Sequence, residues 1–200
     1  MNTSYVFSPL LSGSVVLSYR TYLEMRDPSA LRPARLPDTP VDIRLESPCA
    51  PALYRRLYRG VGEAYRWTDR AAWTDAEIAA HLAQSGLEVW VARVGGVLAG
   101  YFELQPCEDG SVQIAYFGLL PAFIGLGLGG HLVTEALIRA WALGPARVWL
   151  HTCTFDHPAA LAFYQRSGFR PFRRQVEVVN DPRLDGTVPR DVARHVPVIE

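Results

Sequence analysis

Residues 111–142, SVQIAYFGLLPAFIGLGLGGHLVTEALIRAWA, leave the chain few ways to fold. Val112 to Leu120 reads as a strand. Ile114, Tyr116 and Gly118 fall on one face and Ala115, Phe117 and Leu119 on the other, and Pro121, with no N–H to give, ends it. A loop rich in glycine follows, Ile124-Gly125-Leu126-Gly127-Leu128-Gly129-Gly130. Then Leu128, Leu132, Val133, Ala136, Leu137, Ala140 and Trp141 recur at helical spacing, with His131, Glu135 and Arg139 on the polar side and Gly144-Pro145 as the stop. A glycine turn opening into a helix leaves backbone N–H groups unpaired at the positive end of the helix dipole. Such a place takes an anion, typically a phosphate. Gly125, Gly127 and Gly130 also fit G-x-G-x-x-G, but that dinucleotide fingerprint needs an acidic residue about 20 positions on. Gly144-Pro145-Ala146-Arg147 supplies none.

A second stretch, residues 146–172, reads ARVWLHTCTFDHPAALAFYQRSGFRPF. It predicts a strand, then a helix capped by Asp156 or His157 with Pro158 in its first turn, where a missing N–H costs nothing. Gly168 supplies the left-handed residue that ends the helix, and Phe169 begins another strand. Together the two stretches resemble the Gcn5-related N-acetyltransferase (GNAT) family. Its loop has the form (Gln/Arg)-x-x-Gly-x-(Gly/Ala), here Ile124 to Gly129 after Gly118-Leu119-Leu120-Pro121. Its later motif opens near Asn-x-x-Ala and continues to Tyr-x-x-x-Gly-Phe, here His157-Pro158-Ala159-Ala160 and then Tyr164 to Phe169. The resemblance runs over residues 41–180. The departure is Ile124: the loop carries no cation, so backbone amides would hold the phosphates alone.

The resemblance implies a mixed α/β GNAT fold: a central, mostly antiparallel twisted sheet flanked by helices, splayed between strands 112–120 and 146–154. It implies acetyl-CoA as co-substrate and no metal. Contacts to acetyl-CoA would come from Gly118, Leu119, Leu120, Ile124, Gly125, Leu126, Gly127, Leu128, Gly129, Gly130 and His157. Acetyl would pass directly to an amine, small molecule or peptide, within a ternary complex. A strand N–H near Leu119 would polarise the thioester carbonyl, and Tyr164 would protonate the leaving thiolate. The general base is read from the residues. Gln113 stands where some members carry Glu, so Glu103, among apolar neighbours on the adjacent strand, is the candidate, with burial expected to raise its pKa. His151 and Asp156 are further candidates. The competing reading is an acyl-CoA-binding sensor of the same fold without turnover.

Half of the residues are hydrophobic (49%) and formal net charge is zero, with no basic or acidic block. That predicts an ordinary globular chain without a nucleic-acid partner. No apolar run reaches membrane-spanning length, and the start, interrupted by Ser, Pro and Gly, is a poor signal peptide. All basic residues are Arg, which excludes lysine chemistry. Cys49, Cys107 and Cys153 lack metal-type spacing and read as thiols of a reducing cytoplasm. A homodimer is left open.

In chain order, residues 1–13 read as a frayed start and Val15 to Met25 as a strand added to the common core. Prolines between Asp27 and Pro40 make an extended connector, so residues 1–40 precede an acetyltransferase domain of residues 41–180 and a tail of residues 181–200. Val41 to Leu45 is a short strand, Pro48 to Tyr65 a helix, and Thr74 with Glu77 a capping box for the next helix. The aromatics Tyr58, Tyr65, Trp67 and Trp73 are candidates for an acceptor wall. Leu87 to Val94 and Val97 to Cys107 form a hairpin about Gly95-Gly96, and Arg170 to Val179 is the last strand.

Overall fold

The computed structural model describes residues 2–7, 15–181, 183–184, 186 and 188–198. The strands are β1 (Asn2–Phe7), β2 (Val15–Met25), β3 (Asp42–Leu45), β4 (Glu88–Val94), β5 (Val97–Pro106), β6 (Val112–Leu119), β7 (Val148–Cys153) and β8 (Arg170–Asn180). The helices are α1 (Pro51–Gly62), α2 (Asp75–Leu82), α3 (Leu128–Ala142) and α4 (Ala160–Arg166). One sheet takes the order β1-β8-β2-β7-β6-β5-β4-β3. Only β1/β8 and β6/β7 pair in parallel; the other neighbours are antiparallel.

Local chemistry explains the elements. Gly95 and Gly96, at φ 56° and 82°, close the β4–β5 hairpin in the turn that matches strand twist. Thr74 Oγ1 accepts from Glu77 N at 3.2 Å while Glu77 accepts from Thr74 N at 2.6 Å, so the expected capping box starts α2. Two cores flank the sheet. On one face α3 and α4 bury Leu132, Val133, Leu137 and Tyr164 against Leu23, Phe102, Ile114 and Leu150. On the other, α1 and α2 bury Tyr54, Leu57, Tyr58, Val61 and Ile78 against Val89, Val91 and Tyr101.

Two expectations are corrected and a third is given its place. The start is not frayed throughout: β1 pairs with β8 from Asn2↔Arg173 to Phe7↔Val178, while residues 8–13 lie outside the described residues. The strand Val15–Met25, expected as an addition to the common core, is integral to the sheet. It lies between β7 and β8, with Leu23 fully buried and Met25 nearly so. The strict alternation along β6 also fails. Glu103 pairs with Tyr116 but Leu104 with Ile114, leaving Ala115 unpaired in a bulge. Ile114, Phe117 and Leu119 therefore share the α3 face, and Tyr116 joins the α1 core.

Candidate active site

The cleft exists because β6 and β7 part. They pair only at Val112↔Val148 and Gln113↔Trp149, then diverge around a cavity of about 710 Å³. Its walls are the β6 and β7 ends, the glycine loop, α4 and the segment after α1. Leu120 N donates to Ala99 O at 2.8 Å. Since bonded and non-bonded pairs alternate in an antiparallel ladder, the Gly100↔Leu119 pair turns Leu119 N–H away from β5, towards the gap.

The glycine loop forms one side. Gly125 and Gly127 sit at φ 84° and 76°, and a Cβ on either would meet nothing within 4 Å. The left-handed backbone, not crowding, therefore demands glycine there. Gly127 caps α3, so the first-turn amides of Leu128, Gly129 and Gly130 have no partner within the helix. Gly118 has a different reason: a Cβ there would strike Val61 of α1. Of the residues proposed to hold acetyl-CoA, Gly118, Leu119, Ile124, Gly125, Gly127, Gly129, Gly130 and His157 line the cleft. Leu120 packs instead towards the α1 core, Leu126 is exposed and Leu128 is buried. Neither Asp156 nor His157 caps α4 as expected: its N-cap is Ala159, with no side-chain cap bond; His157 Nδ1 accepts from Ala159 N at 3.2 Å, while Asp156 turns back to Thr152 Oγ1 and Cys153 N, each at 2.8 Å.

Tyr164 lines the same cleft, with Phe117, Phe163 and Phe169 around its ring at centroid distances of 5.9, 5.3 and 6.1 Å. Burial, helped by Asp156, pushes its pKa up, so the phenol stays protonated at neutral pH.

Glu103 is not where a base must be. It is fully buried and absent from the cleft wall. Its carboxylate accepts from Tyr54 Oη at 2.7 Å, Arg70 Nη1 at 2.8 and 3.0 Å, and meets His81 Nε2 at 3.0 Å. Burial pushes its pKa up, as expected, but the bonds from His81, Arg70 and Tyr54 outweigh burial and hold it below the ordinary Glu value. The glutamate instead ties together β5, α1, α2 and the α1–α2 segment. Arg70 N also donates to Tyr58 Oη at 3.0 Å, and its guanidinium lies 4.4 Å from the Tyr116 ring centre.

Four features of the cleft were not singled out from sequence as site residues: Arg20, Arg66, Asp69 and Tyr116. Only the run YRWTDR, residues 65–70, hinted at the middle two by its density of polar and aromatic side chains. Of the four candidate wall aromatics, Tyr65 and Trp67 line the cleft, Tyr58 is core, and Trp73 packs on His81. His151 also lines the cleft. Burial, then Arg20, lowers its pKa, so it is neutral at pH 7. Cys153 lines it too, its thiol pushed up to about 11 chiefly by burial.

Comparison with known proteins agrees with this geometry. The acetyltransferase (GNAT) family model matches residues 52–169. A mycothiol acetyltransferase of Nocardia farcinica is 41% identical over 83 residues, covering 42% of this chain and 26% of that protein. An uncharacterized N-acetyltransferase of Mycobacterium tuberculosis is 30% identical over 97 residues, covering 48% of this chain and 62% of that one. The matches thus span from a quarter to under two thirds of these relatives' own lengths. Among solved structures, a GCN5-related N-acetyltransferase from Kribbella flavida superposes with a TM-score of 0.60 at 18% identity, over 86% of this chain and 62% of that one, which establishes a shared fold.

Proposed function

This chain belongs to the GNAT family of acetyltransferases, and we propose that it transfers acetyl from acetyl-CoA directly to an amine in a ternary complex. The observation that carries this reading is one cleft flanked by a strand amide at Leu119 turned away from β5, the first-turn amides of α3 at Leu128–Gly130 and the protonated phenol of Tyr164. The pyrophosphate fits the open glycine cradle, where no side chain intrudes. Arg166, one turn beyond Phe163 on α4, lines the same cleft without an ion pair among the described residues and offers the charge that Ile124 does not.

The amine nitrogen attacks the thioester carbon, and the C–S bond breaks. Leu119 N–H stabilises the oxygen as it gains negative charge. Tyr164 gives its proton to the departing thiolate. The amine's proton passes to His151, neutral and in the cleft, directly or through water. Glu103 keeps the acceptor wall in place and takes no proton. Burial raises the Cys153 pKa and leaves little thiolate at neutral pH, which favours direct transfer over a thioester on the protein.

Acetyl-CoA consumption with a panel of amines tests the reading, with Tyr164→Phe as the diagnostic variant. We expect kcat to fall about 10²- to 10⁴-fold with CoA affinity unchanged. Binding of CoA without consumption by any amine would favour a sensor. Unchanged kcat would return Tyr164 to the core.

A further inference from the structure

On the acceptor side of the cleft one cation has no ion-pair partner among the described residues. Arg66 lines the cavity, partly buried, at the turn that follows α1. Two carboxylates act on it electrostatically, Asp181 and Glu177, and both are already taken. Asp181 holds Arg183 through Nε at 2.9 Å and Nη2 at 2.6 Å. Glu177 pairs with Arg20 at 3.4 Å and accepts from Gln175 Nε2 at 2.9 Å. Arg20 and Arg183 thus take both carboxylates that act on Arg66, which is left without an ion-pair partner. Among the described residues Arg66 makes no hydrogen bond and no ion pair. Its guanidinium lies over the ring of Phe155, 4.3 Å from guanidinium carbon to ring centre.

The backbone reinforces the point. Arg66 sits at φ 60°, ψ 40°, in the left-handed region where glycine is at ease and a residue with a β-carbon is strained. That turn sends Arg66 towards Phe155 while Trp67 folds back on Tyr116, their ring centres 4.9 Å apart. Phe155 is itself fixed, 3% exposed in a small core with Val192, Ala193 and Val196 of the tail. A guanidinium held over an aromatic ring makes no hydrogen bond to it, so its N–H fork stays available, and that fork matches a carboxylate. One unpaired cation balances one negative charge.

We propose that Arg66 is an anion subsite of the acceptor pocket, and that the acceptor is an amine also carrying a carboxylate. This rests on the N-acetyltransferase reading. Asp69, three residues on and exposed in the same wall, gives the segment a carboxylate for the ammonium end. Arg166 does not compete for the role, because α4 packs with α3 on the other face of the sheet.

The test uses product-like probes, so that binding is read without turnover. N-acetylglycine, N-acetylalanine, N-acetylphenylalanine and their uncharged amides are titrated calorimetrically into the CoA-loaded protein. At least one acid should bind roughly ten- to a hundredfold more tightly than its amide, as expected for a charge-assisted hydrogen-bonded pair. Arg66→Gln should erase that difference and leave CoA affinity unchanged. Arg66→Gly, which relaxes the backbone, should do the same, so a folding defect in one variant cannot imitate the result. Acids and amides that bind alike, no binding by any acid, or a loss of CoA affinity in Arg66→Gly would each overturn the subsite. Acetyl-CoA consumption separates the two readings. If polyamines are acetylated and both variants match the wild type, the subsite falls and the acetyltransferase reading stands. If no amine is acetylated, the enzyme reading falls, and the titration still decides the subsite.

Discussion

His151 and Glu103 are both ionisable and both near the middle of the sheet, yet only one is free to accept a proton. Glu103 holds three donors and a net charge partner; His151 faces the cavity, its ring edge-on to Tyr22 at 5.6 Å. Because burial lowers the His151 pKa below 6.5, the base form is present at neutral pH and is lost only in more acid solution. His151→Gln should therefore lower kcat/KM about 10²-fold or more near neutral pH. Its rate should recover partly as pH rises and more acceptor amine is already deprotonated. A pH–rate profile that overlays the wild type would leave a water chain as the proton's route.

At the scale of elements, the glycine loop and the buried cluster do different jobs. Gly127→Glu adds a negative charge where phosphate is expected, and strains the left-handed cap. Gly127→Ala adds only the strain, about 1–2 kcal/mol. Calorimetry should find CoA binding weakened by orders of magnitude in the first and little changed in the second; equal losses would mean that backbone conformation, not charge, is at stake. Glu103→Gln tests the clamp between α1, α2 and β5. It leaves Arg70 buried without its counter-charge, a loss of about 3–5 kcal/mol, measurable by denaturant unfolding. The linkage has a definite sign. Glu103 has a lowered folded pKa, so its contribution is present above the ordinary Glu value of 4.5 and is lost as pH falls through the folded value. The variant should lose that acid-side slope, while the shape of its pH–rate profile stays that of the wild type.

For the whole molecule, β1, β2 and the connector after β2 are structural. β2 bonds to β7 and β8 along both edges, and Leu23 and Met25 enter the core under α3 and α4. The connector after it is held too: Arg32 N donates to Ser167 O at 3.1 Å and Ala34 N to Thr134 Oγ1 at 3.0 Å. A chain lacking residues 1–40 should fail to fold cooperatively, and Leu23→Ala should cost about 2–5 kcal/mol in unfolding free energy. A truncated chain that melts like the full one would show β2 to be dispensable. The tail is likewise part of the cleft's frame. Arg183, 3% exposed, gathers Asp181 and the Val196 carbonyl, and Ala193 N reaches Ala64 O at 3.1 Å beside Arg66.

Local signals carried most of the elements. Strand–glycine–helix at residues 112–142, the helix α4 (Ala160–Arg166) with Gly168 just past its end, the capping box and the Gly95-Gly96 turn each depend on a few neighbouring residues. Backbone sterics and unpaired amides act over one or two turns, so sequence alone specified them. Sequence could not place β2, because strand order depends on partners more than a hundred residues away: Tyr22 meets His151 and Arg173. Nor could it foresee the bulge at Ala115, which reverses the faces of β6, since a bulge is a relation between two strands. The role of Glu103 turned on the same point. Its apolar neighbours announced burial, but Arg70, His81 and Tyr54 arrive from three other elements, and their charge and hydrogen bonds decide whether a buried carboxylate is a base or a clamp.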